Sequence, residues 1–285
     1  EYKMVLNNQT DDENVEKIRD ELVKSSPSTK RRVFEKFVSA ALGSIPWVGG
    51  FLSAAADFKF QEGDMREDNL QTQWLEEHTR KLARLSETLN YIASRFETLG
   101  EQIDERIQSE QYLDIVRKAF RTWDEADTDE KRKYIANLIT NAGGTKLTSD
   151  DVIRLFIDWL DLYHEAHLAV IREIYQNPGS TRYDIWEAIY DNFPREDSAE
   201  ADLYKMLIRD LSIGGVIRQE RATTADGQFL RKPRTKTKGF RPTTMESAFD
   251  DSKPYVLTEL GKQFVHYAMS EVVQRIETNS NTTSA

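Results

Sequence analysis

The chain has 285 residues, no cysteine, 31% charged residues and a formal net charge of −10. The lack of cysteine excludes a disulfide framework and a zinc–thiolate site, and the acidic balance argues against sequence-independent affinity of the whole protein for nucleic acid or anionic membrane. A chain of this length predicts two domains, each able to bury a core. Its opening, Glu1-Tyr-Lys-Met, has no basic region followed by an apolar run, so no secretory signal is expected and a reducing cytoplasm is compatible.

Residues 1–32 begin polar. Val15, Ile18 and Leu22 share one side of a short amphipathic helix over 11–23, and the run SSPST after it supplies a break and an N-cap. The next stretch, 37–56 (FVSAALGSIPWVGGFLSAAA), has twenty positions without a charge. Its length would cross a bilayer, and Lys30, Arg31 and Arg32 flank it as a cytoplasmic anchor would. Pro46 and Gly43, Gly49 and Gly50 oppose a continuous span, because proline removes a donor and Gly-Gly takes positive φ readily. The pattern predicts two short helices, 33–44 and 51–60, folded back through the turn IPWVGG. The small residues Ala40, Ala41, Ser44, Ser53, Ala54 and Ala55 would let the arms approach closely. Either this hairpin is core, or it is a membrane-active element whose contacts are Ile45, Pro46, Trp47, Val48, Gly49, Gly50, Phe51 and Leu52.

Leu75, His78, Leu82, Leu85, Leu89, Ile92, Phe96, Leu99 and Ile103 then recur three and four residues apart. This heptad seam predicts a long coiled-coil-like helix whose partner lies in the same chain or in a second copy. Leu82, Leu85, Leu89, Ile92, Phe96 and Leu99 are the candidates for self-association. Gly100, inside the predicted helix, marks a bend or weak point before a second stripe of Leu113, Val116, Phe120 and Trp123. An acidic link at 124–129 leads to a helix capped by Thr128, with Tyr134, Ile135, Leu138 and Ile139 on its buried side. Gly143 and Gly144 are expected to close it as a C-cap and domain junction; they follow a helix and lack the Gly-Lys-Ser/Thr context of a phosphate-binding loop.

Beyond this point capping boxes are expected at Thr148 with Asp151, Thr181 with Asp184, and Asp197 with Glu200. They open helices through Trp159, over 183–193, and through Leu203, Met206, Leu207 and Leu211. A further helix carries Leu168, Ile171, Ile174 and Tyr175 and stops at Asn177-Pro-Gly. After Gly214-Gly215, Val216-Ile217-Arg218 reads as a strand, and Tyr255-Val-Leu as its return before a last helix over 259–276. Helices, a strand, a basic excursion and a second strand are the order of a winged helix-turn-helix.

The run LSIGGVIR from Leu211, with YVLTELGKQF from Tyr255, resembles the wing region of bacterial winged-helix proteins. The broader layout resembles the Abi-alpha-like helical proteins linked with bacterial abortive infection. The echoes are IPWVGG from Ile45, the long seam, and EKRKYIANLITN from Glu130 ahead of the winged-helix part. This resemblance spans about 33–268 and implies a role in phage defence; its motifs are short and mainly structural.

The expected fold is therefore mainly α: an N-terminal helical bundle with an apolar hairpin and a long seam helix, followed by a winged helix-turn-helix domain with a small two-stranded wing. The expected divisions are 1–32, 33–145, 146–276 and a disordered tail, 277–285. Charge is uneven: residues 61–130 hold eighteen acidic and nine basic side chains, whereas 231–241 hold six basic and none acidic. Arg231, Lys232, Arg234, Lys236, Lys238 and Arg241, with Arg218 on the strand and Lys205 and Arg209 on the preceding helix, are the candidates for binding nucleic acid or an acidic partner. That helix also carries Glu200, Asp202 and Asp210, a poor composition for reading base edges.

No catalytic motif is present. Asp161, His164 and His167 share a helical spacing, but His164-Glu-Ala-His is one residue short of the zinc-protease motif and reads as a surface pair. No metal, cofactor or small-molecule substrate is expected. The expected function is a non-enzymatic interaction or sensor protein in phage defence, cytoplasmic or membrane-associated through the hairpin. A DNA-binding regulator using the wing and a helical adaptor acting by self-association are the alternatives.

Overall fold

The computed structural model describes residues 31–48, 69–100, 103–145, 147–221, 224, 226, 228, 230 and 247–269. The described chain is mainly α-helical, with a small two-stranded antiparallel sheet near the C-terminus. It forms two compact units: Glu1–Leu162 together with Tyr267–Ala285, and Tyr163–His266. This division falls one helix later than the expected boundary at 145/146.

The described helices of the first unit are α1 (Arg31–Leu42), α2 (Asn69–Leu99), α3 (Asp104–Gln108), α4 (Glu110–Glu125), α5 (Asp129–Gly144) and α6 (Asp150–Leu162). α4 is central, packing against α1, α5 and α6, while α5 also runs along α2. The apolar stripe expected on α4 is the reason: Leu113, Val116, Phe120 and Trp123 are all buried. Phe37 from α1 fills the space between α2 and α4, its ring edge-on to Phe96 at 5.4 Å and to Phe120 at 6.0 Å.

Several sequence expectations are corrected in this unit. α2 ends at Leu99, because Gly100 adopts φ +80° and stops the helix instead of bending it; α4 is a separate helix whose N-cap, Ser109, accepts the Tyr112 N–H. Gly143 and Gly144 lie inside the last turn of α5. Their missing side chains make room for neighbours, since a Cβ on Gly144 would lie 2.8 Å from Leu99 Cδ1 and one on Gly143 would lie 3.0 Å from the Tyr112 hydroxyl. Tyr112 uses that approach to donate to the Ile139 carbonyl at 2.7 Å. α6 is capped by Ser149, not Thr148: the Val152 N–H reaches Ser149 Oγ at 3.4 Å.

The first unit is completed from the far end of the chain. A π-helical turn spans Val265–Met269. From it the Tyr267 and Ala268 carbonyls accept the side-chain amides of Asn141 (2.8 Å) and Asn137 (3.1 Å), and Tyr91 donates to Asn137 Oδ1 at 2.7 Å. Two buried asparagines are thereby matched, as buried polar groups must be.

The second unit contains α7 (Glu165–Gln176), α8 (Arg182–Ile189), α9 (Ala199–Ile213), β1 (Ile217–Gln219), β2 (Tyr255–Leu257) and α10 (Glu259–Phe264). β1 and β2 pair antiparallel, with Arg218 opposite Val256. The α7–α8 connection joins their edge, Gly179 N–H donating to the Tyr255 carbonyl and Tyr255 N–H to the Ser180 carbonyl, each at 2.9 Å. The capping box of Thr181 with Asp184 opens α8 as expected. α8 stops at Ile189, well short of 193: Tyr190 turns to extended backbone as the C-cap, its N–H donating to the Trp186 carbonyl.

Thr258 joins sheet and last helix. Its hydroxyl donates to the Gly215 carbonyl at 2.6 Å and accepts the Gly261 N–H at 2.9 Å, while its own N–H donates to the Val216 carbonyl at 2.9 Å. Residue 261 must be glycine here, because a Cβ would fall 2.2 Å from the Val216 carbonyl oxygen. The run Leu257-Thr258-Glu-Leu-Gly261 thus lets a helix start directly on a strand end.

Candidate interaction surface

In the second unit, α9 has an inner and an outer side. Ser198, not Asp197, caps it by accepting the Ala201 N–H. The buried stripe is Ala201, Tyr204, Leu207, Ile208 and Leu211. Leu203 and Met206, expected with the apolar residues of this helix, instead face outward and are 48% and 41% exposed; Ile213, at the helix end, is 78% exposed.

Beside α9 the connection from α8 is fastened by aromatic residues. Trp186 donates from Nε1 to the Asn192 carbonyl at 2.9 Å, and Tyr204 donates to the Arg182 carbonyl at 2.7 Å. Phe249 enters this cluster, edge-on to Trp186 at 5.1 Å and to Phe193 at 5.3 Å. Its position is held by Glu196, which accepts the Ala248 N–H at 2.9 Å and the Ser247 hydroxyl. Burial would raise the Glu196 pKa, but these two hydrogen bonds and Lys205 together hold it below the ordinary glutamate value. An open groove of about 500 Å³ lies between this connection and α9, lined by Tyr190, Phe193, Leu203 and Tyr204 among others, with Asp191 and Glu200 as its charged residues.

The two cations expected on α9 are both beside carboxylates: Lys205 lies 3.6 Å from Glu196, and Arg209 lies 4.0 Å from Asp210. Arg218 is half-buried on β1. Arg231, Lys232, Arg234, Lys236, Lys238 and Arg241 lie outside the described residues, so they are not joined here to the other three.

In the first unit, Ile45 and Val48 are buried, Pro46 is exposed and Trp47 half-buried; Gly49, Gly50, Phe51, Leu52 and the expected second arm lie outside the described residues. The backbone is helical again from Pro46, so the expected turn contracts to Gly43–Ile45 with proline opening the next helical stretch. Trp47 Nε1 donates to Asp124 Oδ1 at 2.6 Å, and its ring meets His78 of the seam edge-on at 5.2 Å. Along the seam, Leu85, Leu89, Ile92 and Phe96 are buried within the unit, whereas Leu82 and Leu99 are partly exposed.

His167 is buried, and its Nδ1 accepts the His164 N–H at 3.2 Å, closing the first turn of α7. No group of three or more potential metal ligands occurs among the described residues, and no described helix is long and apolar enough to cross a membrane. Compared with known proteins, the chain matches no family model, no curated protein and no solved structure.

Proposed function

We propose that this chain is a non-catalytic interaction protein, with a winged-helix second unit that presents α9 to a protein partner and a first unit that is a helical bundle with an apolar hairpin. The observation that carries this reading is the outer side of α9, where exposed Leu203 and Met206 share the helix with Glu200, Asp202 and Asp210 and with Lys205 and Arg209, both beside carboxylates. A helix that reads base edges needs arginine, lysine or amide side chains in a positive field, whereas neighbouring exposed apolar side chains within a polar rim suit a protein contact better than a nucleic-acid one. Photocrosslinking from position 203 in the full chain tests it. A protein adduct is the expected product, and an adduct to nucleic acid alone would overturn the reading.

The resemblance to Abi-alpha-like proteins supports taking that contact as an input to phage defence, with release of 37–56 towards a membrane as the output. Dye leakage from liposomes, stimulated by loosening the Trp47 contact, is the expected signature; intact liposomes with a loosened variant would remove the membrane step. A second reading, DNA binding through 231–241, is favoured by six cations without an acidic residue. It requires a salt-sensitive mobility shift that is lost on neutralising Arg231, Lys232 and Arg234. Self-association through the seam is the third, and Leu82→Asp, at a partly exposed seam position, tests it by light scattering: the mass falls if the seam joins two copies.

A further inference from the structure

The groove beside α9 has a chemistry of its own. Tyr204 and Trp186 are buried beneath it, while Tyr190, Phe193 and Leu203 expose 36%, 40% and 48% of their surfaces around it. Its charged lining is two carboxylates, Asp191 and Glu200, and no cation. The cations of the adjoining backbone are occupied, Arg195 by a two-pronged contact to Asp197 at 2.8 Å and Lys205 by Glu196. Glu200 sits in the first turn of α9, where its own backbone N–H and the Ser198 side chain keep its carboxyl below the ordinary glutamate value.

We propose that this groove docks a linear segment of a partner protein in which an aromatic or large aliphatic side chain is flanked by lysine or arginine. The proposal deepens the protein-docking reading of α9 and rests on it. A volume of about 500 Å³ suits an anchor side chain with its neighbours and is too small for a folded domain. The apolar floor supplies the anchor site, and the part-exposed rings of Tyr190 and Phe193, already packed on one side against Trp186 and Tyr183 respectively, leave aromatic surface for a guanidinium of the ligand. Asp191 and Glu200 select the charge: an acidic peptide or a phosphate backbone would meet two carboxylates with no compensating cation in the lining.

The test is selection from a displayed random-peptide library on the immobilised full chain, with parallel selections on Leu203→Asp and Glu200→Lys. Both side chains are exposed, and an unchanged circular dichroism spectrum verifies the fold. Enriched peptides are expected to place an aromatic or large aliphatic residue beside lysine or arginine. A synthetic copy of the leading peptide should bind at least tenfold more weakly to either variant, and more weakly as salt rises. Acidic or uncharged peptides that are lost with Leu203→Asp would overturn the cationic partner while leaving protein docking on α9 standing. Peptides indifferent to Leu203→Asp, or no enrichment on any form, would overturn both. Cationic peptides enriched only after Arg231, Lys232 and Arg234 are changed to glutamate would make the chain's own basic segment the occupant and overturn an external partner.

Discussion

Replacing Trp47 by phenylalanine keeps an aromatic ring against His78 and removes the one donor that ties the described end of the apolar stretch to Asp124. A hydrogen bond to a charged group contributes about 1.5–3 kcal/mol when buried, and the half-exposure of both groups places this one at the lower end. The ring contact, about 0.5–1.5 kcal/mol for an aromatic pair, is largely retained. Trp47→Phe should therefore lower stability by about 1.5 kcal/mol, and a cycle with Asp124→Ala should give a coupling of about 1 kcal/mol. Urea unfolding of the four proteins, compared at constant slope, reads both quantities. A coupling of zero, or Trp47→Phe as stable as wild type, would refute the idea that this indole fastens the stretch to α4.

Gly261→Ala should be among the most damaging small substitutions, about 3 kcal/mol by thermal unfolding, because its Cβ would meet the Val216 carbonyl at 2.2 Å and backbone cannot yield cheaply. Thr258→Val preserves shape but removes both hydroxyl hydrogen bonds, for about 2 kcal/mol, and Thr258→Ser should recover most of it. Asn141→Leu leaves the Tyr267 carbonyl without its amide donor, for about 1–3 kcal/mol, with faster amide exchange in the last turn as the local readout. The Glu196 pKa is depressed on folding, so its contribution is present above the ordinary value of 4.5 and is lost as pH falls through the lower folded value. Acid titration of tryptophan fluorescence should show Phe249 leaving Trp186 in that window, and Glu196→Gln should flatten it.

Long-period signals in the sequence carried well into the structure. The three- and four-residue spacing from Leu85 to Phe96 did mark a buried face, because such a stripe can be satisfied only by another apolar surface. The helix ends were less legible. Asp197 and Ser198 are both good capping residues, as are Thr148 and Ser149, and composition does not say which one packing selects. Gly143 and Gly144 read as a helix stop, because local preference carries no record of Leu99 and Tyr112 pressing in from elsewhere. The groove was the least legible part. Leu203 and Met206 look like core residues by type, and only the competing stripe of Ala201, Tyr204, Ile208 and Leu211, spaced three and four apart, indicates that they face outward.

The asparagine contacts to the C-terminal turn impose an order on synthesis. Asn141 and Asn137 find their acceptors 126 and 131 residues later in the chain. While a ribosome is still making the second unit, both amides wait without those partners, and the first unit cannot close fully around them. The second unit, continuous from Tyr163 to His266, has no such delay. A chain interrupted before Tyr267 would hence carry a finished second unit and a first unit whose Asn137 and Asn141 amides lack their C-terminal acceptors. The far end of the polypeptide in this way certifies its beginning.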